Sequence, residues 1–298
     1  MNRGVLSAFS AYLIWGFFPI FWKQIAHVDA LESLSHRIVW TVVFLVLLIS
    51  VQRGWNWLRP VISDRPTLLR LILASILLMY NWGMYIWAVI NGFIVEASLG
   101  YFINPLVNVV LGYLIFKERL HRQQLIAVGL AVIGVGYLTW TYGRLPWIAL
   151  SLAGSFAFYG VLKKQSKLDS IQGLSIESGL MFPIALFGVL FFQWQGSAEF
   201  GSDTTTTILI LLLGVCTASP LLLFAYGAQR IQFATLGLLQ YIAPTLQFLI
   251  GVFLYNEPFN AAQLWGFVLI WAGLIVYSAD SIIRMRQAST AQVAINRP

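Results

Sequence analysis

Charge is what this chain has least of. Only 10% of its 298 residues are Asp, Glu, Lys or Arg, too few to cover a soluble molecule of this length in polar surface, so a soluble globular protein is excluded. Cysteine occurs once, at Cys216. An intrachain disulfide is therefore excluded, and a lone thiol inside an apolar run reads as a small packing group rather than a redox centre. The three histidines, His27, His36 and His121, are scattered, and no Cys/His pair has metal-ligand spacing; neither a metal nor another cofactor is expected. No Gly-rich loop ending in Gly-Lys-Ser/Thr is present, which excludes ATP as this chain's direct energy source. A nucleophile-elbow glycine pattern is also missing, which leaves an intramembrane enzyme as the weaker hypothesis.

What the chain has instead is long apolar runs. Hydrophobic residues make up 59% of it, and stretches of the length a helix needs to cross hydrocarbon fall at residues 4–22, 31–51, 68–90, 94–116, 122–141, 146–163, 171–193, 205–228, 233–255 and 261–282. The expected fold is an all-α membrane protein of ten transmembrane helices. The first run follows Arg3, is too long for a signal-peptide core and lacks a clear cleavage site, so it is expected to remain as the first span.

The sequence also repeats itself. Ala97-Ser98-Leu99-Gly100-Tyr101-Phe102-Ile103-Asn104-Pro105 recurs as Ala234-Thr235-Leu236-Gly237 and then, past a two-residue slip, Tyr241-Ile242-Ala243-Pro244. Further on, Gly112 matches Gly251, Glu118 matches Glu257, Gln124-Leu125 matches Gln263-Leu264 and Gly134 matches Gly273. Matching Gly and Pro breaks in two halves point to a secondary transporter. Five spans per half is an odd number, so the second half enters the membrane from the opposite side as an inverted repeat. The expected division is a first repeat at 1–142, a second at 143–286 and a flexible cytoplasmic tail at 287–298.

Positive charge fixes the expected orientation. Arg3, Arg53, Arg59, Arg65, Arg70, Lys117, Arg119, Arg122, Lys163, Lys164, Lys167, Arg230, Arg284, Arg286 and Arg297 fall on one side, against Lys23 and Arg144 on the other. By the positive-inside rule both termini are cytoplasmic. The net charge of +7 then reflects topology and anionic lipid rather than nucleic-acid binding.

A Pro-centred fourth and ninth span, each ending in Glu and followed by Gln-Leu, resembles the drug/metabolite transporter superfamily and its EamA-type repeat over essentially the whole chain. Ser35-His36-Arg37-Ile38-Val39-Trp40, Glu96 through Asn108, and Ser155-Phe156-Ala157-Phe158-Tyr159-Gly160 are similar to its RarD-like branch, named for chloramphenicol sensitivity. The resemblance implies a permease of the bacterial inner membrane. Its cavity would be walled by the first four helices of each half, with the fifth and tenth peripheral.

Ionisable groups inside hydrocarbon cost about 2.5 to 3.5 kcal/mol each on the insertion scale and ask for a partner or a watery cavity. Arg37, Glu177 and Glu32 are the candidates for coupling or gating. Arg37 and Glu177 occupy equivalent repeat positions, which suggests either a salt bridge that switches between access states or a static pair locking two helices. Snorkelling of Arg37 towards Glu32 is a third reading. Glu118 and Glu257 close their spans at the end the helix dipole disfavours for a carboxylate, so they are expected to accept hydrogen bonds from a neighbouring helix start, with gating as the alternative. Glu96 reads as an N-terminal helix charge.

Asn104 and Asn108 share a helix face, Pro105 between them removes a backbone hydrogen bond and so frees a carbonyl one turn back, and Gln240, Pro244 and Gln247 repeat the arrangement. Two readings stand: amides that bind a solute, or amides that glue helices together. Together with Tyr101, Tyr241, Trp15, Tyr85 and Tyr159 they form the expected substrate site, suited to a flat or amphipathic solute. Phosphate esters rank low, because Arg37 alone is a mid-depth cation. The expected function is a secondary transporter exporting small neutral or zwitterionic organic metabolites or drugs by alternating access; a passive channel and an intramembrane enzyme are the alternatives. The expected partners are the small-molecule substrate and the lipid bilayer, without nucleic acid, and a homodimer is allowed but not required.

Overall fold

The structure, a computed structural model, describes residues 3–52, 54–117, 119–165, 168–228, 230–231 and 233–295. Among these the regular structure is entirely helical: α1 (Arg3–Gln24), α2 (Ala30–Gln52), α3 (Leu58–Ser63), α4 (Arg65–Ile90), α5 (Ile94–Phe116), α6 (Arg122–Tyr142), α7 (Trp147–Lys164), α8 (Ser170–Gln195), α9 (Thr204–Ala228), α10 (Phe233–Leu239), α11 (Ile242–Leu249), a π-helical turn (Ile250–Leu254) and α12 (Ala261–Ile295). Eight of these helices are long and apolar enough to cross a membrane, and Trp147–Lys163 and Ile242–Leu254 are shorter apolar helices. Large apolar side chains stand bare on the outside, among them Trp140, Trp194 and Phe253 at 87, 84 and 74% exposure. Water would penalise such a surface and lipid does not.

Local chemistry sets the helix ends. Asp64 caps α4 by accepting from the Thr67 N–H at 3.2 Å, and Pro66 follows in the first turn, where its missing N–H costs nothing. Asp169 and Gln172 form a reciprocal capping box on α8. Asp203 accepts from the Thr206 N–H at 3.0 Å at the start of α9, and the Thr206 side chain together with this N–H holds its carboxyl below the usual carboxylate range.

The ninth apolar run departs from the single span expected over 233–255. It breaks at Gln240 and Tyr241, because Pro244 sits in the first turn of α11 and starts a helix there instead of kinking one. Pro105, by contrast, lies inside an unbroken α5. Of the stretch 287–298 expected to be a flexible tail, residues 287–295 continue α12 as helix, and 296–298 lie outside the described residues.

The helices pack as α1 with α9 and α11, α2 with α8 and α9, α4 with α7 and α8, α5 with α7 and α11, and α6 with α12. The α6/α12 contact is close enough to need glycine. A Cβ on Gly134 would meet the Gly266 carbonyl at 2.9 Å, and one on Gly273 would meet the Ala127 carbonyl at 2.7 Å, the backbone approach that small residues allow between membrane helices.

Candidate functional site

One end of the bundle is closed by side chains that take up the backbone groups helices leave unpaired. Glu257 accepts from the N–H groups of Ile94 and Val95 at 2.7 and 2.8 Å, capping α5 from the far end of the chain. The expected role of this carboxylate, accepting from a neighbouring helix start, is what the geometry shows; its repeat mate Glu118 lies outside the described residues. Glu96 accepts from the Ile148 N–H at 3.1 Å and from Arg144 Nη2 at 2.6 Å, so this first-turn charge of α5 also caps α7. Lys23 Nζ donates to the Ile90 carbonyl at 3.3 Å. His27 and the Thr206 hydroxyl are 3.0 Å apart. Glu32 accepts from the N–H groups of Glu199 and Phe200 at 2.9 and 3.2 Å, so the polar loop between α8 and α9 folds back onto α2. Phe200 there lies 4.8 Å from the ring of His36. Glu32 is therefore not the partner of Arg37.

Arg37 lies below that seal, 5% exposed. Its guanidinium sits 4.1 Å over the ring of Trp82 and 5.6 Å from that of Trp22, and Nε donates to the Thr217 hydroxyl at 3.1 Å. Tyr85 and Tyr101, edge to face at 5.7 Å, are within electrostatic reach of the same cation. The cluster therefore draws on α1, α2, α4, α5 and α9.

Glu177, fully buried on α8, accepts from Tyr159 Oη and from Lys163 Nζ, each at 2.9 Å. The pairing of Arg37 with Glu177 is thus corrected: each has other partners. Chain direction supplies the reason. Arg37 is seven residues into a helix that starts at the sealed end, and Glu177 is seven residues into one that starts at the opposite end. At about 1.5 Å per residue each is about 10 Å in from its own end, and the two stand at different depths.

Beside the Glu177 cluster, at the unsealed end, a cavity of about 420 Å³ is lined by Pro60, Asp64, Arg70, Ala74, Lys163 and Glu177 among others. The buried face of α4 runs from Leu71 and Ala74 at this cavity through Leu78 to Trp82 and Tyr85 at Arg37.

Two of the amides bond helix to helix, and Asn108 bonds within α5. Asn104 Nδ2 donates to the Ala153 carbonyl of α7 at 3.1 Å, Asn108 Nδ2 donates to Asn104 Oδ1 at 3.1 Å, and Gln247 Nε2 donates to the Trp15 carbonyl of α1 at 3.0 Å. Gln240 lies in the turn between α10 and α11, half-buried. Tyr241 packs with the α5/α6/α12 cluster, within reach of Tyr277 and Ser278, and the Trp15 ring packs on Tyr12 and Phe224. The expected site is therefore not one constellation: Arg37, Tyr85 and Tyr101 come together, Tyr159 joins Glu177, and Trp15, Gln240 and Tyr241 stand elsewhere.

The missed members are Trp22, Thr217 and the engagement of Lys163. Trp22 beside Lys23 reads as an interfacial anchor, and Thr217 gives no signal inside its apolar run. Among the described residues no group of three or more His, Cys, Asp or Glu side chains is placed to hold a metal ion.

A helical bundle with this apolar exterior and a buried polar interior is a multi-pass membrane protein. The model of the EamA-like transporter family matches it twice, over residues 2–140 and 145–279. Its curated relatives include the uncharacterized transporter YojE of Bacillus subtilis, 44% identical over 285 residues covering 94% of this chain and 95% of that one. Protein RarD of Escherichia coli is 41% identical over 289 residues, covering 97% and 98%. A solved crystal structure, 17% identical, superposes with a TM-score of 0.59 over 92% of this chain and 96% of the other, a likeness of fold. The chain belongs to the EamA-like transporter family of the drug/metabolite transporter superfamily, in its RarD-like branch. It is a membrane transporter, and the names of family and relatives point away from an enzyme.

Proposed function

We propose that the protein is a secondary carrier of the bacterial inner membrane that exports small neutral or zwitterionic organic compounds by alternating access, through ten spans arranged as two inverted five-helix repeats, 1–142 and 143–286. The observation that carries this reading is that helix packing survives exchange of the halves. Replacing α1, α2, α4, α5 and α6 by α7, α8, α9, α11 and α12 turns the α1/α9 contact into α7/α4, α1/α11 into α7/α5 and α2/α9 into α8/α4, all of which occur; α2/α8, α5/α11 and α6/α12 map onto themselves. Backbone detail supports the same exchange. Lys117 and Asn256, at repeat-equivalent positions, have left-handed φ values of 54° and 51°, and each immediately precedes a Glu.

A two-fold bundle built this way has two arrangements of similar energy, one for each closed end. Here the seal of Glu257, Glu96 and Glu32 lies at one end and the 420 Å³ cavity at the other, which fits an arrangement open on one side only. The positive-inside distribution supports a cytoplasmic position for the cavity end and for both termini. In this reading the solute path follows the buried face of α4 from Glu177 and Tyr159 to Tyr85 and Tyr101, with Asn104 and Asn108 on the flanking helix.

The test is exchange in proteoliposomes, using compounds found by metabolite profiling of cells with and without the chain. A carrier gives saturable uptake that is accelerated by solute on the opposite side. Flux that rises linearly with concentration and shows no counter-exchange would identify a passive channel.

A further inference from the structure

Arginine has five N–H donors and cannot shed its charge. In Arg37 one of them, on Nε, reaches a protein acceptor, Thr217. Among the described residues no acceptor meets the two Nη groups, and no carboxylate lies within ion-pair distance of them. The indole faces of Trp82 and Trp22 offset part of the charge, but they accept nothing in the plane of the guanidinium. Around the same group the hydroxyl of Tyr85, 4% exposed, and Nε1 of Trp22, 2% exposed, are also without hydrogen-bond partners. Buried donors are normally satisfied, yet here unpaired donors and one uncompensated positive charge gather in the interior, at the upper end of the α4 face that begins at the cavity.

From these groups we infer that Arg37, with the Tyr85 hydroxyl, is a binding site for the carboxylate of the transported solute, and that the solutes extend beyond neutral compounds to organic monocarboxylates with an aromatic or aliphatic body, amino-acid zwitterions included. A carboxylate is acceptor-only and planar, and it matches the guanidinium fork through two parallel bonds. It would take up the donors the protein leaves unpaired and bring the missing counter-charge. The solute body would lie against the surrounding aromatic rings, Trp82 and Tyr101 foremost. A neutral amide of the same shape brings no charge and turns one donor group towards a cation, so it should be rejected. The inference rests on the carrier reading for the word transported, whereas the binding site itself does not.

The experiment is calorimetric titration of the purified full chain in lipid nanodiscs with five probes, acetate, benzoate, phenylacetate, indole-3-acetate and L-phenylalanine, each beside its primary amide. The larger acids should bind at least ten-fold tighter than their amides. Arg37→Lys should erase most of that preference, because an ammonium keeps the charge and loses the fork. Should Arg37→Lys fail to fold, Tyr85→Phe still decides. It removes a hydroxyl that has no partner, so the thermal midpoint should stay level or rise while acid binding falls three- to ten-fold.

Absence of binding by every acid, equal affinity for acids and amides, or unchanged acid affinity in Tyr85→Phe would overturn the inference. Proteoliposome exchange separates it from the carrier reading. Arg37-dependent acid binding without exchange supports the site and removes the carrier, while saturable exchange of neutral solutes with no preference for acids keeps the carrier and overturns the site.

Discussion

Glu257 places both carboxylate oxygens on the first turn of α5, Oε1 on the Ile94 N–H and Oε2 on that of Val95, although 163 residues separate Glu257 from Ile94. The contact joins the end of the π-helical turn to the start of the Pro105 helix, so one side chain holds two elements of the sealed end together.

Glu257→Ala should therefore lower stability by about 1 to 3 kcal/mol, the usual cost of leaving buried polar groups unpaired, and should open the sealed end. Glu257→Gln, which keeps one acceptor oxygen, should fall in between. Thermal unfolding in detergent measures the first effect. Reaction of a cysteine at Ile94, introduced in a Cys216→Ser background, with a membrane-impermeant maleimide measures the second. A midpoint unchanged in Glu257→Ala would show that the cap does not hold the end closed.

Glu177 is fully buried and Lys163 half-buried at the cavity, and the two should behave as a coupled pair. Removing one partner, as in Lys163→Met, leaves an uncompensated charge and should cost about 3 to 5 kcal/mol, and Lys163→Met with Glu177→Gln should recover most of it. The exchange Arg37→Glu with Glu177→Arg should recover nothing, since each residue has different partners. Yield of monodisperse protein and its unfolding midpoint score all three variants; recovery in the charge exchange would restore a direct Arg37–Glu177 link.

Asn104→Ala and Gln247→Ala should each cost about 0.6 kcal/mol, the average for a side-chain hydrogen bond between membrane helices. The two losses should be additive, because the bonds lie on different helix pairs, α5 with α7 and α11 with α1. A double mutant measured by unfolding checks it. Coupling well above that size would mean that the two contacts act as one unit.

Topology is checked with the same cysteine-free background. Gly201→Cys, in the loop that folds onto Glu32, should react with an impermeant maleimide added to whole cells, and Arg286→Cys only after permeabilisation. The reverse pattern would remove the proposed orientation and the assignment of the cavity to the cytoplasmic side.

Composition, apolar run length and the internal repeat were sufficient for the membrane class and for most span boundaries. The reason is that hydrocarbon imposes a one-dimensional rule: a segment is apolar and long enough to cross, or it is not. The capping role of Glu257 was legible for a similar reason, since a carboxylate at the unfavourable end of a helix dipole needs donors from outside its own helix. The break at Gln240 and Tyr241 was not legible, because Pro105 and Pro244 look alike in sequence. Only the surroundings decide whether a proline sits inside a helix or in its first turn.

The partners of the buried charges belong to the tertiary structure alone. Arg37 and Glu177 match in the repeat, yet a match between helices running in opposite directions puts the two residues at different depths, so sequence equivalence does not become contact. Thr217 reaches Arg37 across 180 residues, and Trp22 and Trp82 arrive from two further helices. The sequence by itself determined that a cation is buried in the bilayer and needs compensation. Which rings and hydroxyls supply it, and which donors stay unpaired, depends on the face each helix turns inward, and five packed helices settle that together.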